Sequence, residues 1–335
     1  MSTFHVIGGK VTQDVIAASP SRILEIVRET YLRHSAGETV NPNSYFLRFP
    51  DRPSCRIIAL PAHIGGDQPV SGIKWIASYP PNIERNLQRA SAVLLLNDAE
   101  TGYPFACLEA SQISAARTAA SAALAVETLS EGDRPRKVLF VGAGVIGRTV
   151  SDFLAARGLS VDECMVHDHV DGYARTFASY VSDTHGWSAR HVPDVDCALA
   201  AADLVVLATT APAPWLCDEQ ILRPGQLILN LSLRDIHPTV MIKCNNVLDD
   251  LDHCLTAQTS PHLTEIEYGS RDFVNGTLAD VLRGEATLNA DRATIFSPFG
   301  LGVLDLAVGC HVYQSALEQE QATEIPGFFP ELSRW

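Results

Sequence analysis

No stretch of this 335-residue sequence stays apolar for anything near the ~20 residues that a membrane span needs. Its start, MSTFHVIGGKVTQD, lacks the basic opening and long apolar core of a signal peptide, so the cytoplasm is the expected compartment. Positive charge is scarce: 25 Lys and Arg face 39 Asp and Glu, for a net charge of −14. That balance argues against nucleic acid and membrane surfaces as partners. It does not argue against an acidic small molecule, because local charge decides such binding. The eight cysteines include no CxxC pair and no Cys/His cluster with metal-ligand spacing. They read as reduced packing residues, and no metal is expected. Internal repeats and low-complexity segments are absent as well.

What remains is a globular composition, 46% hydrophobic and 19% charged, in a chain long enough for two cores. SPSRILEIVRETYLRHSAGE opens like a helix, with Ser19 as N-cap, Pro20 at the first helical position and Gly37 as its stop. Short strand-like runs follow: NSYFLRF, CRIIALP, SGIKWIA, AVLLLN and YPFACLE, the last two joined by the turn DAETG. Residues 110–130 form an Ala-rich helix without interior Gly or Pro. Composition changes at EGDRPRK (131–137), the expected domain boundary. Beyond it strands (KVLFV, ECMVHD, LVVLATT, LILNLSL) alternate with helices, which argues for a parallel sheet covered by helices. A final helix starts near Gly300.

VLFVGAGVIGR places Gly142, Gly144 and Gly147 between a strand and a helix in G-x-G-x-x-G spacing. The first glycine permits the tight turn, the second lets backbone approach a pyrophosphate, and the third lets helix and strand pack closely. The pyrophosphate then lies on the helix N-terminus, where free N–H groups and the dipole favour an anion. Asp168 ends the second strand, 26 residues after Gly142, and would accept hydrogen bonds from the adenosine ribose while repelling a 2′-phosphate. The nearest downstream cation, Arg175, is placed a helical turn or more away. NAD is the expected cofactor.

In the first domain, where lysines are few, Lys74 interrupts the apolar strand SGIKWIA, and Arg117 is the sole charge of the Ala-rich helix. Lys74 alternates with Ile73 and Trp75 and so points to the opposite face. The competing account is an edge-strand lysine that guards against aggregation. Arg48 and Arg56 lie on neighbouring runs, so these four cations are candidates for a carboxylate-binding cluster. Asp305 is the one charge in SPFGLGVLDLAVG. A carboxylate there is costly to bury unpaired, so it is either a functional group or a helix N-cap.

The ordered set GIK (72–74), NIERN (82–86), DAETGYP (98–104), AARTAA (115–120), GAGVIG (142–147) and FSPFGLGVLDL (296–306) resembles the ornithine cyclodeaminase/mu-crystallin family over nearly the full length. The resemblance implies a Rossmann-type NAD domain (131–305) inserted in an α+β substrate-binding and dimerisation domain (1–130, completed by 306–335), and a homodimer. It places substrate-carboxylate cations on Lys74, Arg117 and Arg48, and a catalytic aspartate on Asp305, facing a substrate nitrogen, with Lys74 as the second catalytic candidate. The cofactor set it suggests is Gly142, Gly144, Val145, Ile146, Gly147, Asp168, Thr118, Thr209, Thr210 and Ser232. Ornithine cyclodeaminases carry a glutamate for the distal amine where this chain has Ile58. RIIALPAHIGGDQPVSGIKWI, ERNLQRAS and LILNLSLRDIHP instead resemble the branch that makes 2,3-diaminopropionate for siderophores and peptide antibiotics. That branch oxidises N-(2-amino-2-carboxyethyl)-L-glutamate with NAD, releasing 2-oxoglutarate and L-2,3-diaminopropionate. Two alternatives stay open: an ornithine or lysine cyclodeaminase, and a nucleotide-binding protein without turnover, as in the crystallin branch. Product analysis with NAD and candidate amino acids separates all three.

Overall fold

A computed structural model describes residues 3–130, 135–217 and 221–330. The chain divides into two compact units, Met1–Arg117 with Leu301–Trp335, and Thr118–Gly300. The first crossing falls inside a helix, ahead of the 131–137 stretch, of which residues 131–134 lie outside the described residues. The second falls at 300/301, so Asp305 belongs to the unit that holds Lys74.

The first unit opens with β1 (His5–Ile7), α1 (Gly9–Ala18) and α2 (Pro20–Ser35). Ile23, Leu24, Val27 and Tyr31 recur at helical spacing on α2 and are buried. Ser19 occupies the N-cap position, but its hydroxyl caps nothing in α2. It donates instead to Val15 O at 2.7 Å, because α1 ends immediately before it and leaves unpaired carbonyls.

Next come β2 (Thr39–Val40), β3 (Tyr45–Phe49), β4 (Arg52–Ile64), β5 (Val70–Ser78), β6 (Ala90–Asp98) and β7 (Pro104–Glu109). DAETG closes β6 to β7: Gly102 donates to Asp98 O at 2.9 Å and Thr101 N to the Asp98 carboxylate at 2.7 Å. Among the described residues these strands form an eight-stranded sheet in the order Thr323–Glu324, β1, β7, β6, β5, β4, β2, with β3 also paired to β4. Helix α3 (Ser111–Leu129) follows, all of its alanines buried. The C-terminal helix, Gly302–Glu318, buries Val303, Leu304, Leu306, Val308 and Val312. Its start is fastened by Asn41, whose Oδ1 accepts from Val303 N at 3.2 Å.

The second unit is an eight-stranded parallel sheet among the described residues. Its strands are β8 (Lys137–Val141), β9 (Glu163–His167), β10 (Ala189–His191), β11 (Leu204–Leu207), β12 (Leu227–Asn230), β13 (Asn245–Leu248), β14 (Val274–Thr277) and β15 (Thr294–Ser297). The spatial order is β10-β9-β8-β11-β12-β15-β13-β14, so sequence order reverses between β8 and β11. In doubly wound sheets, ligands bind at that switch point, outside the carboxyl ends of the strands. The central strands are buried on both faces and read as continuous Val/Leu/Ile runs. The turn after β8 leads into α4 (Val145–Ala156), and that after β9 into α5 (Asp171–His185).

All eight cysteines are free. Cys55, Cys164, Cys244 and Cys254 are buried as packing residues, whereas Cys197 and Cys217 are exposed, on a helix and a loop respectively. Among the described residues no helix is long and apolar enough to cross a membrane.

Candidate active site

Strand β5 lies between β4 and β6, so Lys74 is not an edge residue. Strand alternation turns it inward, opposite Leu60 and Leu94, while Trp75 points outward. There Lys74 Nζ donates to Asp305 Oδ2 at 2.6 Å and to Ser114 Oγ at 3.1 Å. Arg117 Nε reaches Asp305 Oδ1 at 3.4 Å, and its Nη2 reaches Ser114 Oγ at 3.5 Å. Exposure is 1% for Lys74, 0% for Asp305 and 8% for Arg117. Three chain segments thus bring together three charges that the sequence separates widely.

The N-cap of the C-terminal helix is Leu301, and Asp305 sits within the first turn. The helix-cap account of Asp305 therefore fails. The carboxylate is tolerated in an apolar run because each oxygen has a cationic partner. Two cations against one carboxylate leave the cluster net positive while Lys74 is protonated. Burial pulls Lys74 from its ordinary 10.5 down to about 8; Asp305 opposes the shift and Arg117 adds to it. Lys74 can therefore exchange a proton at mildly alkaline pH. Sequence reasoning missed Ser114. The available signal was its i,i+3 spacing from Arg117, which sets both on one face of α3.

Arg48 and Arg56 are directly opposed on β3 and β4, and Ile58 is on the same face as Lys74. The structure does not bring Arg48 into the Lys74–Asp305–Arg117 cluster: it is exposed, and its guanidinium lies 4.8 Å over the Phe46 ring.

In the second unit Gly142 takes φ +100°, and a Cβ there would meet Ala208 O at 2.5 Å, so only glycine fits. Gly144 is the N-cap of α4 and faces open space, with nothing within 4 Å of a Cβ placed on it. That opening and the unpaired N–H groups at Val145 and Ile146 suit a pyrophosphate. Gly147 is buried in the first turn. Asp168 accepts from Ala143 N at 2.8 Å and from Val170 N at 2.9 Å. Each carboxylate oxygen keeps a lone pair for a ribose hydroxyl. Arg175 is held by Asp171 at 3.4 Å and is no counter-charge for Asp168.

Thr209 and Thr210 follow β11, and Ser232 follows β12. The hydroxyls of Thr209 and Ser232 each donate to Asp235, both at 2.5 Å. Asp235 is fully buried, and burial pushes its carboxyl above the usual range. No sequence pattern marked it. Thr118 follows Arg117 on α3 and is half-buried. The glycine loop and Asp168 together fit a dinucleotide.

Comparison with known proteins agrees with this geometry. The sequence is 28% identical, over 90% of this chain and 92% of the relative, to N-((2S)-2-amino-2-carboxyethyl)-L-glutamate dehydrogenase of Staphylococcus aureus. The fold matches the Thermococcus litoralis Delta(1)-pyrroline-2-carboxylate reductase in complex with NADH and L-proline, with a TM-score of 0.89 and 24% identity, covering 96% of this chain and 100% of that one. It also matches an archaeal alanine dehydrogenase dimer with bound NAD, with a TM-score of 0.85 and 23% identity, covering 97% and 100%. The profile of one family spans residues 12–320. The chain belongs to the ornithine cyclodeaminase/mu-crystallin family.

Proposed function

We propose that this protein is an NAD-dependent amino-acid dehydrogenase that converts N-(2-amino-2-carboxyethyl)-L-glutamate and water to 2-oxoglutarate and L-2,3-diaminopropionate, a building block for siderophores or peptide natural products. The observation that carries the reading is the buried Lys74–Asp305–Arg117 cluster, net positive, with apolar Ile58 on the same sheet face. Such a face suits a substrate rich in carboxylates and offers nothing to the distal ammonium of ornithine. The 28% identity to the Staphylococcus aureus enzyme, nearly end to end, supports the same choice.

NAD is held by the Gly142–Gly147 loop and Asp168, and when bound it supplies the hydride acceptor. Arg117 orients the glutamyl α-carboxylate, joined by Lys74 while that amine holds its proton. Lys74 and Asp305 act as one acid–base pair. The pair takes the proton from the secondary amine as the Cα–H bond is oxidised to an imine, assists addition of water, and returns a proton to the departing nitrogen. Ser114 fixes the Lys74 amine and the Arg117 guanidinium in register.

The outer face of the same sheet carries Tyr45, Trp75 and Val93 in one row across β3, β5 and β6, all exposed. A second copy of the chain covers that row in a homodimer, the state of the archaeal alanine dehydrogenase. Eight free cysteines suit the reducing cytoplasm.

The reaction is tested by incubating the protein with NAD and N-(2-amino-2-carboxyethyl)-L-glutamate, alanine, proline or ornithine. NADH is followed by absorbance and products by mass spectrometry. NADH with equimolar 2-oxoglutarate and 2,3-diaminopropionate from the first substrate is the expected result. Faster turnover of any other compound refutes the substrate.

A further inference from the structure

The inner face of the first sheet is organised in three rows that run across β3, β4 and β5. One row holds Leu60 and Lys74; the next holds Phe46, Ile58 and Ile76; the third holds Arg48, Arg56 and Ser78. A third arginine joins that last row from the loop before β6: Arg89 Nη1 donates to Ser78 Oγ at 2.8 Å. Three arginines therefore lie at one end of the face that carries Lys74, in a chain of net charge −14.

Like charges set directly opposite on paired strands are destabilising, as Arg48 and Arg56 are here. Acidic residues are plentiful in this protein, yet Arg89 is hydrogen-bonded to a neutral serine and Arg48 lies on an aromatic ring. Burial also disfavours the charged form of Arg89. Its guanidinium offers five donors, and Ser78 takes one. Ile58 and Ile76, between the two cationic rows, are half-buried, so an apolar strip remains open to a ligand.

We propose that Arg48, Arg56 and Arg89 form a subsite for the distal carboxylate of a dicarboxylic substrate, whose methylenes cross Ile58 and Ile76 toward Lys74 and Arg117. The inference rests on the reading of Lys74 and Arg117 as the α-carboxylate end. The rows lie four residues apart on β5, about 13 Å between Cα atoms at ~3.3 Å per residue. Long cationic side chains at both ends shorten that span, and Arg48 already leans over Phe46 of the middle row. The site takes a five-carbon dicarboxylate, glutamyl or 2-oxoglutaryl, and disfavours an otherwise similar chain with an uncharged end.

Calorimetric titration of the NADH-loaded protein with 2-oxoglutarate and with 2-oxobutyrate tests this, since only the first has a distal carboxylate. Charge-assisted hydrogen bonds predict about 10–100-fold tighter binding of 2-oxoglutarate. Arg89→Gln should remove most of that preference while leaving 2-oxobutyrate affinity unchanged, and Arg89→Lys should restore part of it. Equal wild-type affinity for the two acids overturns the subsite without any variant, and an undiminished preference in Arg89→Gln overturns the role of Arg89. Turnover of N-(2-amino-2-carboxyethyl)-L-glutamate is measured separately. Absent turnover with the preference intact refutes the reaction and upholds the subsite; turnover without the preference does the reverse.

Discussion

Lys74 Nζ lies 2.6 Å from Asp305 Oδ2, joining the middle of a sheet strand to the first turn of a C-terminal helix across 231 residues of sequence. Both side chains are buried, so the pair exists at the cost of desolvating two charges. Packing alone would be served as well by two apolar residues. The proton exchange proposed for the pair would give it a role that packing does not.

The first consequence is a pH profile. Below about 8 Lys74 holds its proton and cannot accept another; above it the amine is free. kcat/KM should rise between pH 7 and 9 with a midpoint near 8, and Lys74→Met should lose that limb. The unfolded chain binds this proton up to the ordinary value of 10.5. Stability relative to Lys74→Met should therefore increase as pH rises from 8 to 10.5. A profile flat across this range in the wild-type protein removes Lys74 from proton transfer.

The glycine loop predicts two unlike alanine variants. Gly144→Ala meets nothing within 4 Å and should leave the melting temperature unchanged while weakening NAD binding, because the methyl occupies the pyrophosphate's approach. Gly142→Ala forces a Cβ into Ala208 O at φ +100° and should lower both stability and NAD affinity. Thermal melts and NAD titrations of the two variants check the contrast; identical behaviour contradicts it.

Asp168 predicts a strong preference for NAD over NADP. Asp168→Asn keeps an acceptor for Ala143 N and removes the charge that repels a 2′-phosphate, so the preference should narrow. Titration of both cofactors into both proteins measures it, and equal wild-type affinities would sink the assignment.

The exposed Tyr45–Trp75–Val93 row predicts a dimer of twice 36.3 kDa by light scattering at micromolar concentration. Trp75→Asp should shift the protein toward monomer. A wild-type monomer under these conditions contradicts the interface.

Much of the second unit was legible in the sequence because parallel strands buried on both faces read as apolar runs, and the glycine spacing fixed the turn after β8. Strands β13, β14 and β15 were not read. NNVL and VNGT mix polar residues that bond inside the fold, such as Asn246 Nδ2 to Met241 O at 2.7 Å, and so lack a periodic signal. Lys74, Arg117 and Asp305 stood out as lone charges in apolar surroundings. Their mutual contact did not, since it depends on a helix returning from the far end of the chain. Asp235 and Ser114 stayed hidden for the same reason, each being defined by partners that folding brings near. Arg89 sat among other charges in a loop, where nothing distinguishes an inward side chain from a solvated one.

The joint proton transfer proposed for Lys74 and Asp305 is put at risk by a single substitution, Asp305→Asn. Asparagine keeps the shape of the side chain but neither accepts a proton nor neutralises Lys74. Removing one partner of a buried pair costs about 3–5 kcal/mol, so assays belong below a lowered melting temperature, with NAD affinity as the control for folding. Turnover should fall ~10²–10⁴-fold. Asp305 raises the Lys74 pKa, so the residual activity should show its pH midpoint moved below 8. An Asp305→Asn protein with wild-type turnover and an unshifted profile would contradict the mechanism.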